Sequence, residues 1–230
     1  VRLAKDEEFP ITTVPLRDDG EAFFFSRRRL TGRDTRRDPM KKIGMKKPGM
    51  KTLLDGKGVE RVLSRLTHEI IEKNKGAGQI VLVGIASGGI PLSQVIRGKI
   101  QVIEGVDVPT GFVDISLYRD DLARAGYQVR MKRTEIPFSI DDKKVILVDD
   151  VLYTGRTIRA AMDALIDFGR PRNIQLAVLI DRGHRELPIR ADFVGRNVPT
   201  SRSETVVVRV EGTPEEWTVL LKEAPPGKGE

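Results

Sequence analysis

The chain has 230 residues, 39% of them hydrophobic, enough for one substantial core, and a single folded domain is the expectation. It contains no Cys and only His68 and His184, which excludes disulfides, thiolate catalysis and Cys-ligated zinc and argues against a His-built metal site. The net charge of +7 is uneven: residues 1–50 hold 13 Lys/Arg against 8 Asp/Glu and the remainder 27 against 25, so any nucleic-acid surface on the core must come from clustering.

No apolar run reaches about 18 residues and no signal-peptide apolar stretch opens the chain, so no membrane span and a cytoplasmic location are expected. Residues 1–49 crowd Arg27-Arg28-Arg29, Arg36-Arg37, Lys41-Lys42 and Lys46-Lys47 around Pro39 and Pro48, interrupted only by Phe23-Phe24-Phe25. Such a stretch buries too little apolar surface to offset its ordering entropy, and it is expected to be disordered. It reads either as a non-native extension, from a start codon assigned upstream of Met50, or as a basic arm adding non-specific RNA affinity. The domain is expected over residues 50–230.

From Val59 the spacing predicts a helix, with Val59, Val62, Leu63, Leu66, Ile70 and Ile71 on one stripe and Gly76 ending it. Its other side carries Arg61, Ser64, Arg65, His68, Glu72 and Lys73, which alone is a solvated face. Gln79 to Ile85 predicts a buried strand running into the small-residue loop Ala86-Ser87-Gly88-Gly89, and Ile90 to Ile103 a crossover helix. Val113 to Tyr118 predicts a further strand. The charged stretch from Arg119 and Asp120 through Arg130 to Pro137 is long for a bare connection and suggests a lid or a hairpin.

The most informative run follows: Val145-Ile146-Leu147-Val148-Asp149-Asp150-Val151-Leu152-Tyr153-Thr154-Gly155-Arg156-Thr157. Four apolar residues predict a strand buried on both faces, stopped by two carboxylates, then a Gly-containing turn and a helix from Ile158. Strand, turn and helix N-terminus together make an anion site, because unpaired N–H groups and the helix dipole converge there. Thr154, Gly155 and Thr157 let a phosphate approach the backbone, and the two hydroxyls can donate to it. Asp149 and Asp150 suit hydroxyls instead, so the implied ligand carries a phosphate and a vicinal diol, as ribose 5-phosphate does. Ile158, Ala161, Met162, Leu165 and Ile166 continue as a packed helix closed by Gly169, and Ile174 to Ile180 predicts another buried strand.

The run from Val145 to Thr157 resembles the phosphoribosyl pyrophosphate (PRPP) motif of type I phosphoribosyltransferases throughout. Together with Asp114-Ile-Ser-Leu-Tyr-Arg-Asp-Asp-Leu122, Asp181-Arg182-Gly183-His184-Arg185-Glu186-Leu187-Pro188 and Arg190 to Ser201, it is similar to one family in particular. That family is the bifunctional pyrimidine operon attenuation regulator and uracil phosphoribosyltransferase, over about residues 51–211. The resemblance implies a doubly wound, mainly parallel α/β sheet with helices on both sides and a small hood, assembled as a homodimer or higher homo-oligomer. It implies conversion of uracil and PRPP, with Mg²⁺, into UMP and pyrophosphate. It also implies sensing of UMP or UTP and binding of a leader mRNA stem-loop that promotes termination ahead of pyrimidine-biosynthesis genes.

By the same resemblance Asp149 and Asp150 hold the ribose hydroxyls, Thr154 to Thr157 cradle the 5-phosphate, and pyrophosphate and Mg²⁺ lie near Ser87, Gly88 and Asp149. The hood at Asp181, Arg182, Gly183, His184 and Arg185 presents backbone groups to uracil. Ser64, Arg65, His68, Lys73, Arg190 and Arg196 fall at the RNA surface. Arg119, Asp120 and Arg130 fall in the lid, whose closure keeps water from the oxocarbenium-like charge that develops at the anomeric carbon. One departure stands out: near relatives carry Thr-Arg-Gly where this chain has Ser87-Gly88-Gly89, removing a bidentate phosphate clamp. An RNA-binding regulator with weak or lapsed transferase activity is therefore the alternative expectation.

Overall fold

Alternation along one strand organises the molecule. In the computed structural model, which describes residues 49–115 and 134–223, β4 (Lys144–Leu152) sits at the centre of a five-stranded parallel sheet. The sheet also contains β2 (Ile80–Ile85), β3 (Thr110–Val113), β5 (Asn173–Asp181) and β6 (Phe193–Asn197), in the order β3-β2-β4-β5-β6. Successive side chains of a strand point to opposite faces, and both faces here are covered. Ile146 and Val148 join Leu63, Leu66, Leu92 and Ile96 of α1 (Gly56–Asn74) and α2 (Gly89–Glu104). Val145 and Leu147 join Ile158, Ala161 and Leu165 of α3 (Arg156–Ile166). This is the expected doubly wound α/β layering.

Helix α1 is started by Asp55, whose carboxylate accepts from the Gly58 N–H at 2.8 Å, and stopped by Lys75 in the left-handed region. At its C-terminal end Asn74 and Gln175 exchange two amide hydrogen bonds of 2.9 Å, a buried polar pair that ties α1 to β5. A second sheet, three-stranded and antiparallel, has the order β1 (Met50–Leu54), β8 (Thr218–Lys222), β7 (Thr205–Arg209). Its Val206 and Val219, with Trp217, extend the α1–α2 side of the core. Among the described residues no helix is long and apolar enough to cross a membrane.

Two expected strand boundaries move. The acids do not stop β4: Asp149 pairs with Val178, Val151 with Ile180 and Leu152 with Asp181, because β5 is long enough to offer partners beyond them. The strand expected from Val113 instead ends there, since Thr110 to Val113 are the residues in register with Leu82 to Ile85. Residues 1–48, on which the expected extension falls, and residues 116–133, which hold the expected lid, lie outside the described residues.

Candidate functional site

The sheet order dictates where a ligand would go. Strands are added leftward from β2 to β3, and the chain then crosses back to β4 and continues rightward, so β2 and β4 flank the topological switch point. The residues singled out in the sequence lie at the carboxyl ends of these two strands: the loop 86–88 after β2, and Asp149 and Asp150 at the end of β4.

The fit between the two is close. Gly89 packs so tightly on β4 that a Cβ there would lie 2.1 Å from the Val148 carbonyl oxygen. At Gly88 a Cβ would lie 2.4 Å from Asp150 Oδ2 and 2.8 Å from its Cβ, so the second acid occupies the space a side chain at 88 would need. The missing arginine is thus matched by a carboxylate folded against the loop backbone. Asp149 is 5% exposed, and its Oδ1 accepts from the Asp150 N–H at 2.9 Å. Burial pushes the Asp150 carboxyl above its ordinary value, opposed by the Val151 N–H, which donates to Asp150 Oδ1 at 2.7 Å.

Beyond Leu152 the chain bends through Tyr153 and Thr154 to Gly155, whose φ of 92° lets the turn close onto the first residue of α3. The Thr154 carbonyl accepts from the N–H groups of Glu186 and Leu187 at 3.0 and 3.2 Å, so the segment after β5 fixes this turn from above. Thr154 Oγ1 accepts a long 3.4 Å bond from the Arg156 N–H, and Arg156 Nε donates to Glu186 at 2.7 Å. Val145 to Thr157 therefore form the strand, turn and helix start that their spacing predicts, with the turn at the N-terminus of α3.

The five hood residues are positioned by one another. Arg185 pairs with the Asp181 carboxylate and donates to the Tyr153 carbonyl at 2.7 Å, fastening residues 181–189 to the end of β4. Arg182 turns the other way. It stacks on the Tyr153 ring at 4.0 Å and donates to Thr200 Oγ1, the Ser201 carbonyl and the Glu204 carbonyl at 3.1, 3.1 and 2.8 Å. The His184 ring nitrogen Nε2 lies 2.5 Å from the Thr200 carbonyl oxygen. The backbone here is bent and shielded by few side chains: Gly183 and His184 both have positive φ, 80° and 58°, a Cβ on Gly183 would meet nothing within 4 Å, and the Gly183 N–H and carbonyl are engaged by Asp181 Oδ1 at 2.9 Å and Arg185 at 3.1 Å.

The expected RNA-facing residues are dispersed along α1 and the β6 edge, several with internal partners. Arg65 pairs with Glu69 and donates to the Val194 and Gly195 carbonyls at 3.0 and 2.5 Å. Lys73 pairs with Asp192 at 2.6 Å, lying over the Phe193 ring at 5.0 Å, and Arg196 donates to the Leu53 carbonyl at 2.8 Å. Ser64 and His68 face α2 beside Lys99, a residue that the sequence does not single out because its helix shows only the spacing of a crossover. Arg190 is exposed, while Arg119, Asp120 and Arg130 lie outside the described residues.

Among the described residues no three His, Cys, Asp or Glu side chains gather as a metal cage. Two hard carboxylates at a strand end do suit Mg²⁺, which is commonly held by one or two carboxylates together with substrate phosphates.

A parallel sheet whose switch point sets an acidic pair beside a small-residue turn defines a phosphoribosyltransferase of type I, and the sequence model of the phosphoribosyl transferase domain matches residues 49–212. "Bifunctional protein PyrR" of Geobacter sp. is 59% identical over 170 residues, 74% of this chain and 96% of that protein. Its counterpart in Clostridioides difficile is 56% identical over 171 residues, 74% of this chain and 97% of that protein. The chain belongs to this PyrR family of phosphoribosyltransferases. Solved structures show the shared fold: a hypoxanthine phosphoribosyltransferase from Staphylococcus aureus has a TM-score of 0.55 at 20% identity, covering 76% of this chain and 93% of that one. Another from Trypanosoma cruzi, with the product IMP, has a TM-score of 0.57 at 20% identity, covering 75% and 90%.

Proposed function

We propose that this chain transfers the phosphoribosyl group of PRPP to uracil, releasing pyrophosphate and forming UMP, and that the same pocket senses uridine nucleotides to control binding of a leader mRNA stem-loop. The observation that carries the reading is the juxtaposition at the switch point: paired acids near the end of β4, followed directly by the small-residue turn at the start of α3. Asp149 and Asp150 accept from the two ribose hydroxyls, fixing the sugar. Thr154 to Thr157 receive the 5-phosphate through N–H groups and hydroxyls at the helix start. Ser87 and Gly88 hold pyrophosphate, here through backbone N–H groups, since Gly88 brings no cation.

Asp149, on the buried edge of the pocket, is the residue that would hold Mg²⁺ together with the pyrophosphate oxygens. The ion supplies charge neutralisation for the departing pyrophosphate. The backbone at Asp181 to Arg185 reads the uracil edge; the side chains of Asp181, Arg182, His184 and Arg185 make it rigid. Keeping water out while positive charge develops on the sugar is the task assigned to the expected lid residues Arg119, Asp120 and Arg130, which lie outside the described residues. Ser64, Arg65, His68, Lys73, Arg190 and Arg196 supply the RNA surface, with Arg65, Lys73 and Arg196 also bracing α1 and β1 against the β6 edge. The transferase unit begins near residue 50, and residues 1–49 lie outside it. The protein assembles as a homodimer or higher homo-oligomer and works in the cytoplasm, where its transcripts are made.

The test pairs two measurements on one preparation: pyrophosphate released from PRPP on adding uracil, and stem-loop affinity by gel shift with and without UMP. The reading requires uracil-dependent turnover and tighter RNA binding with UMP. Turnover with another base in preference to uracil, or RNA binding indifferent to UMP, would sink it.

A further inference from the structure

Between α1 and α2, on the side of the molecule away from α3, a groove of about 360 Å³ opens to solvent. Its walls are Val95, Val102 and Ile103. Val102 is 86% and Ile103 42% exposed, which makes this one of the few places among the described residues where large apolar side chains face water. The floor is Gly98, in the interior of α2.

That glycine needs an explanation. A glycine inside a helix costs about 1 kcal/mol relative to alanine. At the glycines that open α1 and α2 the reason is visible: a Cβ on Gly56 or Gly89 would lie 2.1 Å from the Glu215 or Val148 carbonyl oxygen. At Gly98 a Cβ would meet nothing within 4 Å. The chain's own packing does not require the missing side chain, but a flat ring entering the groove would.

The rim is polar. His68 Nδ1 lies 2.7 Å from the Ser64 carbonyl oxygen, which can only accept, so Nδ1 carries a proton. Lys99 is held at the edge by Glu60 and by Ser64 Oγ at 3.0 Å. Apolar walls, a side-chain-free floor and a rim with an imidazole and an ammonium suit a single unpaired base of RNA, whose face apolar side chains can cover and whose edge polar groups can read.

We propose that this groove receives one unpaired base of the stem-loop, with Gly98 as its floor and Val102 and Ile103 as its walls. The proposal rests on the RNA-binding reading above and adds to it a discrete base site. A second copy of the chain fits the groove less well: a stable isologous contact buries roughly 800 Å² per partner, and only two strongly exposed apolar residues lie here. The cavity, near the low end of the roughly 300–1,000 Å³ typical of ligand sites, is also small for a helix or strand.

The experiment uses the full chain with UMP and two probes: a leader stem-loop RNA carrying 2-aminopurine at its unpaired positions in turn, and a fully paired duplex of equal length. Gly98→Leu fills the floor with a residue of better helix propensity, and Val102→Ser strips a wall that is already exposed. Both variants are expected to keep uracil phosphoribosyltransferase activity, and Gly98→Leu to melt no lower than the parent. Stem-loop binding is expected to weaken by roughly ten-fold or more, the scale of losing one stacked base, with duplex binding unchanged. One 2-aminopurine position should change fluorescence with the parent protein and not with Gly98→Leu.

Unchanged stem-loop affinity in both variants, while the parent binds normally, overturns the groove and leaves the RNA reading standing. A parent that binds no stem-loop at any UMP concentration overturns both. Variants that dissociate in sedimentation yet bind RNA as tightly as the parent would show that a second copy covers the groove, and would also overturn the proposal.

Discussion

At the scale of single residues, Asp150 has the most contradictory position. It must present a carboxylate to a sugar, yet burial raises its proton affinity above the ordinary value. A carboxyl whose folded-state affinity is raised favours the fold below the ordinary carboxyl range. That contribution is lost as pH rises through the folded-state value, so ionised Asp150 costs stability near neutrality. Asp150→Asn should therefore melt higher than the parent at neutral pH, the difference closing below about pH 4. Its kcat/KM for PRPP should fall by roughly a hundred-fold or more, the scale of losing one pre-set polar contact in an active site. A scan of melting temperature against pH, alongside the steady-state assay, checks both arms.

Gly88 poses the complementary question. Gly88→Ala adds a Cβ and nothing that could bind phosphate, so it isolates the steric effect on Asp150, whose Oδ2 lies 2.4 Å from that Cβ position. We expect about a ten-fold loss in kcat/KM, mostly in the KM for PRPP, on the scale of one lost hydrogen bond to a charged group. Parental kinetics in this variant would mean that the loop and the second acid are independent.

At the scale of elements, α1 is held to the sheet edge where β6 lacks a side chain. A Cβ at Gly195 would lie 2.4 Å from the Leu179 carbonyl and 2.6 Å from Val62 Cγ1. Gly195→Ala should therefore cost about 1–3 kcal/mol and lower the melting temperature by several degrees, read by thermal denaturation. What could be read in advance at this scale was whatever is local. Val145 to Thr157 carry strand, turn and helix start in adjacent residues, and the α1 stripe repeats with helical period, so both could be placed from residue types alone. The small sheet could not: Met50–Leu54 pairs with Thr218–Lys222 across most of the chain, and five-residue strands carry little periodicity. Nor could the internal duties of Arg182 and Arg185, whose partners at Tyr153 and Thr200 to Glu204 come close only on folding. Their charges gave a turn but no direction. The groove beside Lys99 was hidden for the same reason, because a crossover helix and a polar helix face become one surface only when α1 and α2 pack.

For the whole molecule, the proposed sharing of one pocket by catalysis and sensing implies a reciprocity. If UMP raises stem-loop affinity by some factor, saturating stem-loop must raise UMP affinity by the same factor, since coupling free energy has no direction. Coupling of the usual size, about 1–3 kcal/mol, corresponds to roughly 5- to 150-fold. Calorimetric titration of UMP with and without RNA, set against gel shifts with and without UMP, measures the two factors separately. Unequal factors would mean that the two ligands engage different forms of the assembly.

The pairing of β1 with β8 brings the Glu223 N–H to within 3.0 Å of the Gly49 carbonyl oxygen. A few glycines could join these two positions and convert the described domain into a ring, which could be cut open at the exposed turn by Gly78 instead. Such a circular permutant would begin beside β2 of the parallel sheet, and its fusion partners would attach there instead of at the small antiparallel layer. It would keep every residue of the sugar-phosphate pocket on one uninterrupted length of backbone.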